Sequence, residues 1–134
     1  MSVLLVSIDS ALFKTEASFV IQLRSEQNQE HKAASQHKTC APLFNKNTFE
    51  FNGATKQLRI TALQNRGNSL QHYGECNQIS LQTLSLQLDS PMTRSLAVLD
   101  FKRQSVGRMN VTFELTNDKK YAKDRLRTLV EQMN

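Results

Sequence analysis

The run Gly107-Arg108-Met109-Asn110-Val111-Thr112-Phe113-Glu114-Leu115-Thr116 decides the fold class. Met109, Val111, Phe113 and Leu115 alternate with Arg108, Asn110, Thr112 and Glu114. Successive side chains of a strand point to opposite faces, so this period of two produces one apolar face and one polar face. A helix would scatter the same residues around its whole circumference, so the run is a half-buried strand.

Working outward, shorter runs repeat the pattern. Residues 2–9 are a run of β-branched residues and leucines, as in a strand covered on both faces. Residues 18–24 place Phe19, Ile21 and Leu23 on one face. Residues 48–52 alternate through Phe49 and Phe51, and residues 57–63 through Leu58, Ile60 and Ala62. Residues 75–82 carry Ile79 and Leu81; residues 94–101 carry Leu96, Val98, Leu99 and Phe101. The polar stretch 25–38 is expected to hold a loop and an edge strand ending near Lys38–Cys40. The Asn-, Gly- and Ser-bearing stretch 64–74 reads as a long loop. Eight short strands separated by polar connections predict an all-β, antiparallel sandwich over residues 1–116.

The period then changes. Asn117 or Asp118 is suited to cap a helix, and Ala122, Leu126, Leu129, Val130 and Met133 follow at helical spacing. Residues 117–134 are therefore expected to form a C-terminal amphipathic helix, flanked by Lys123 and Arg127. The connection from Thr116 leaves little chain for folding back, which favours a stripe turned toward a partner over one packed on its own sandwich.

Composition narrows the function. The 134 residues carry 17 Lys and Arg against 12 Asp and Glu, a net charge of +5. Residues 92–134 hold nine basic and five acidic side chains and so contribute four of those five charges. The implied partner is an acidic protein surface or an anionic membrane. Two cysteines, Cys40 and Cys76, form neither a disulfide framework nor a metal motif, and no apolar stretch is long enough for a membrane-spanning helix. A cytoplasmic protein with free thiols is the expectation. His31, His37 and His72 are dispersed, and no glycine-rich phosphate loop is present, so the chain is expected not to be an enzyme and to need no cofactor. Nucleic-acid binding is not expected, because the aromatic residues are taken up by core positions.

The ordered series of patterns resembles the C2 domain family. The opening Leu4-Leu5-Val6-Ser7-Ile8 run is similar to the family's first apolar strand, and Ala17-Ser18-Phe19-Val20 to its Asp-Pro-Tyr-Val entry to the second. Residues 38–51, ending Asn47-Thr48-Phe49-Glu50-Phe51, are similar to the Asn-Pro-x-Trp-Asn-x-x-Phe-x-Phe element, with Phe44 in the place of the tryptophan. Leu58 to Leu63, then Gly74-Glu75, then the Gly107 strand complete the series in the order of the family's second circularly permuted form.

The resemblance implies loops at one end that, in calcium-binding members, carry aspartates. Here Glu16-Ala17 and Gln64-Asn65-Arg66 stand at those positions, and an arginine would repel the ion. The resemblance therefore implies a calcium-independent, non-catalytic docking module for a protein partner in a larger cytoskeletal or membrane-bound assembly. The contact residues expected are Leu126, Leu129, Val130, Met133, Lys123 and Arg127. The alternative is constitutive binding to anionic phospholipid through Arg24, Lys32, Lys38 and Lys46, the basic residues of the stretch matching the family's lipid-binding strands.

Overall fold

The computed structural model describes residues 2–35, 37–44 and 46–133, with side chains described as far as Leu126. Eleven elements follow one another: β1 (Val3–Phe13), β2 (Phe19–Ser25), β3 (Glu30–Ala34), β4 (Thr48–Asn52), β5 (Gln57–Asn65), β6 (Leu70–Glu75), β7 (Ile79–Ser80), α1 (Leu81–Leu84), β8 (Met92–Leu99), β9 (Ser105–Thr116) and α2 (Lys119–Met133). The antiparallel strand order is β3-β2-β5-β6-β8-β9-β1-β4, with β7 added on β5. A single pair, Glu75 with Leu99, joins β6 to β8. The result is a sandwich of two four-stranded layers connected at that seam.

The alternation read from the sequence sets which faces meet. Leu4, Val6 and Ile8 of β1, Phe19, Ile21 and Leu23 of β2, Phe49 and Phe51 of β4, Leu58 and Ile60 of β5, and Met109, Val111 and Phe113 of β9 form one buried cluster. β1 lies between β9 and β4, pairing Val6 with Phe113 on one edge and with Phe49 on the other. On the side where β3 faces β4, side chains close the gap. Gln29 Nε2 and His31 Nε2 donate to the Glu50 carbonyl at 3.3 and 2.8 Å, and Asn52 N donates to Gln29 Oε1 at 3.1 Å. These contacts satisfy backbone groups that an edge strand would leave open.

Several elements differ from the sequence expectation. There are nine strand segments rather than eight: β6 is the added one, while the expected strand at 75–82 shrinks to β7 and then turns into α1, where the Ser80 side chain accepts from Thr83 N. The expected loop at 64–74 is a hairpin: β5 continues to Asn65 and β6 begins at Leu70. Its turn is tight, with Arg66 N donating to Ser69 O at 2.9 Å and Gly67 at φ +87°, a conformation glycine adopts without a Cβ penalty. Leu70, Gln71 and His72 are all exposed, so β6 shows no apolar alternation until Tyr73. The edge strand β3 ends at Ala34, and Thr39 instead makes an isolated bridge to Ala17. Phe101 lies beyond β8, in the turn to β9, and is 84% exposed rather than part of a strand.

Phe49 and Phe51 point into the core and are 1% and 0% exposed, and a close-packed interior offers little room for collapse around a smaller side chain. Replacing either by alanine is expected to cost about 3–5 kcal/mol. Thermal or denaturant unfolding of the two single variants checks this, and normal melting of both would contradict the packing.

Candidate functional site

Three connections converge at one end of the sandwich: those between β1 and β2, between β3 and β4, and between β5 and β6. A layer of rings supports them, with Phe13, Phe19 and Tyr73 centroids 4.4 to 5.5 Å apart. Tyr73 Oη accepts from Thr15 N at 3.2 Å and donates to Val106 O at 3.1 Å, tying the first connection to β9. Ala17 and Thr39 exchange backbone hydrogen bonds, and Asn65 N donates to Ser18 O at 2.8 Å. The loop end is thus braced by the strands below it.

The cleft between these connections has a volume of about 500 Å³, and Glu16, Ser18, Lys38, Gln64, Asn65 and Arg66 line it. That is the size class of small-ligand sites. One carboxylate and two cations face it. Calcium requires about six to eight oxygens, several of them carboxylate. Glu16 alone supplies one such group, and no group of three His, Cys, Asp or Glu residues able to hold a metal exists among the described residues. The sequence positions Glu16-Ala17 and Gln64-Asn65-Arg66 do come together here, as the resemblance implied.

The four basic residues of the lipid alternative lie on different elements, with Arg24 and Lys32 on the β2–β3 pair beside Glu30. Arg24 Nη2 donates to Glu30 Oε1 at 2.9 Å across the β2–β3 pair. Hydrogen bonds from Gln22 and from Arg24 hold the Glu30 carboxyl below its usual range. Lys32 lies on β3 opposite Gln22. Lys38 belongs to the cleft at the loop end. Lys46 Nζ sits 5.5 Å above the ring of Phe49.

The C-terminal helix is rooted on the sandwich. Asp118 caps it, accepting from Tyr121 N at 3.0 Å, and Asp118 N donates to Thr116 Oγ1 at 3.1 Å. Tyr121 Oη donates to Glu114, reaching its two carboxyl oxygens at 3.0 and 3.2 Å. Ala122 is 2% exposed and α2 approaches β4 and β1. Leu5 and Glu114, paired on adjacent strands, are buried on the outer face, which explains why the polar side of the β9 alternation closes at its end. The short connection therefore does permit folding back of the first turns. Leu126 is half-buried and Lys123 exposed; the side chains of Arg127, Leu129, Val130 and Met133 lie outside the described residues.

Cys76 is buried and desolvation pushes its thiol up to about 12, whereas Cys40 is half-buried. A thiolate is the reactive form, so burial and the raised thiol both disfavour reaction at Cys76 in the folded chain.

No protein-family model matches the sequence, and no curated protein matches it. Solved structures do. The chain is similar to a C2 domain of plant Extended Synaptotagmin 1, with 16% identity and a TM-score of 0.68 over 85% of this chain and 93% of that one. It is similar to CC2D1B, described as coordinating ESCRT-III activity during mitotic reformation of the nuclear envelope, with 13% identity and a TM-score of 0.65 over 98% of this chain and 58% of that one. It is also similar to human GIVD cytosolic phospholipase A2, with 13% identity and a TM-score of 0.62 over 88% of this chain, but covers only 16% of that chain. At these identities the likeness is one of fold: the chain has the fold of a C2 domain. That fold serves elsewhere as a module for binding proteins or phospholipids.

Three measurements check these contacts. Replacing Tyr121 by Phe leaves the Glu114 carboxyl without its donor and is expected to cost about 1–2 kcal/mol of stability. Partial burial and the neighbouring Glu114 hold the Tyr121 phenol above its ordinary range. A raised phenol favours folding below the ordinary phenol pKa, and that contribution is lost as pH rises through the folded value. The melting temperature of the native chain should therefore fall on the alkaline side, more steeply than that of the Tyr121→Phe variant. A thiol reagent should modify Cys40 in the folded chain and Cys76 only after unfolding; equal rates would contradict the burial.

Proposed function

We propose that the chain is a calcium-independent, non-catalytic docking module that holds a protein partner through α2. The observation that carries this reading is the root of the helix. Asp118, Tyr121 and Ala122 fix its first turns to the sandwich. Beyond them the same helix continues through Leu126, Leu129, Val130 and Met133, an apolar stripe in the sequence with Lys123 and Arg127 at its flank. A preset direction lowers the ordering cost of helix-in-groove recognition.

Calcium independence rests on the loop end. Lys38 and Arg66 face the cleft where ion ligands would have to gather, and Glu16 is its one carboxylate. Such a module would act constitutively, in a cytoplasmic assembly. CC2D1B, whose likeness extends over 98% of this chain, offers an example of the fold in a protein that coordinates ESCRT-III activity. Binding of anionic phospholipid by Arg24, Lys32, Lys38 and Lys46 as one patch is the weaker reading. Glu30 offsets Arg24 and Lys32 beside it, Lys38 lines the loop-end cleft, and Lys46 lies over the Phe49 ring.

The test pairs two measurements. Millimolar calcium should leave the melting temperature unchanged; stabilisation reversed by a chelator would refute the loop-end argument. The variant Leu126→Asp with Leu129→Asp should lose partners that the native chain captures from extract, while the sandwich still melts as a folded domain. An unchanged set of captured proteins would count against α2 as the contact.

A further inference from the structure

Next to the root of α2 runs the connection from α1 to β8, and its tip carries a residue pair found nowhere else in the chain. The sequence holds two prolines. Ala41 precedes one and Ser90 the other, so Ser90-Pro91 is the one place where a hydroxyl residue stands before proline. Gln87, Leu88, Asp89, Ser90 and Pro91 are all exposed. Among the described residues the Ser90 hydroxyl has no hydrogen-bond partner.

The connection is lightly held. Asp89 N donates to Leu115 O at 2.7 Å and anchors the tip to β9, while Ser90 N donates to Gln87 O at a long 3.4 Å. Asp89 adopts φ 56°, a left-handed conformation that costs a non-glycine residue energy. Drawing the segment out gives up the Leu115 anchor and relieves Asp89, so opening here is local and far cheaper than unfolding. The residue before a proline is also biased toward extended backbone, the shape in which a peptide lies across an enzyme's cleft.

The same connection adjoins the anchor of the helix. Leu115 follows Glu114, whose carboxyl oxygens accept from Tyr121 Oη at 3.0 and 3.2 Å. Glu114 is 8% exposed. Behind desolvation and Glu114, the charges of Arg125 and Asp89 also bear on the Tyr121 phenol, in opposite senses. A charge placed beside Asp89 is therefore placed within the electrostatic reach of this contact.

We propose that Ser90 is a phosphorylation site for a proline-directed serine kinase, and that the phosphate loosens the root of α2. Proline has no backbone N–H. A kinase cleft that offers the following residue an apolar surface and no acceptor therefore admits Ser90 and rejects serines followed by other residues. In the transfer, Ser90 Oγ bonds to the γ-phosphorus of ATP and the bond from that phosphorus to the β–γ bridging oxygen breaks. ADP leaves with the electron pair, and the hydroxyl proton passes to the carboxylate base of the kinase. The product carries a charge of about −2 at neutral pH, one residue from Asp89. It attracts Arg125 and repels the Glu114 carboxylate. Arg125 is exposed, so water and salt screen the attraction; Glu114 is buried and screened less. Repulsion wins, and the helix loses its hold on Glu114. A module without a calcium switch is otherwise always engaged, and the phosphate supplies a way to release it. That release rests on the docking reading; the modification and the loosening do not.

The full chain is incubated with a mitogen-activated protein kinase and ATP, and the phosphate is located by mass spectrometry. Ser90 should be the residue that gains it. Ser90→Ala should gain none, and Pro91→Ala should be labelled about tenfold more slowly while remaining folded. In the phosphorylated chain, the amide protons of Tyr121 and Ala122, which donate to Asp118, should exchange about fivefold faster than in the unmodified chain. The amide of Val111, in the middle of β9, should be unaffected, and phosphatase treatment should restore the slow exchange. No transfer, or transfer to other serines, would overturn the site. Labelling at Ser90 with unchanged exchange at Tyr121 and Ala122 would overturn the loosening, and so would slower exchange, the mark of a phosphate paired with Arg125. Faster exchange with an unchanged set of proteins captured through α2 would support this inference and count against the docking reading.

Discussion

The layer of phenylalanine rings between the two sheets is the constraint on which the rest of this structure depends. Phe19 comes from one sheet, and Phe49, Phe51 and Phe113 from the other; all four are essentially inaccessible. Because side chains alternate along a strand, a slip of one residue would turn these rings out to water. Their burial therefore fixes the register of β1 against both of its neighbours. It also determines which polar residues come to the surface and where the connections meet.

Much of this order is legible in the sequence. The alternation in 107–116 and the paired phenylalanines of 48–52 identify strands that face one core, and the succession of patterns identifies the sandwich. What escapes is local and has physical causes. β6 opens with Leu70, Gln71 and His72, all exposed, so no periodicity marks it. Ile79 and Leu81 are buried across a strand-to-helix change that Ser80 caps. Phe101 has the composition of a core residue, and only the turn that Asp100 organises turns it outward. At the loop end, Glu16 and Arg66 could be brought together only through the resemblance. The offset of Arg24 by Glu30 depends on the β2–β3 register, and the Tyr121–Glu114 contact on a fold-back that the short connection argued against.

The surface that results is polarised along β9. Its first residues follow the turn that carries Phe101; its last lead into the capped root of α2. Between these ends the outer face is occupied by short polar contacts, including Asn110 Nδ2 to Ser10 Oγ at 2.9 Å and Thr93 with Thr112 at 2.8 Å. Such a face neither demands burial nor excludes water, so a module of this shape has its distinctive chemistry at its extremities.

The pairing of β1 with β9 has a further consequence, for how the chain comes to be folded. Ser10 and Asn110 are 100 positions apart, and Leu4 and Leu115 are opposed in the same ladder. During synthesis β1 emerges early and can acquire β4 as its first neighbour, but its other edge stays open until β9 has left the ribosome. For that interval a strand containing Leu4, Leu5, Val6 and Ile8 presents an unpaired edge. Non-local pairing of this kind slows folding and leaves intermediates prone to association. Mutations in β9 therefore bear on the nascent chain as well as on the stability of the finished domain, whose core holds Met109, Val111 and Phe113.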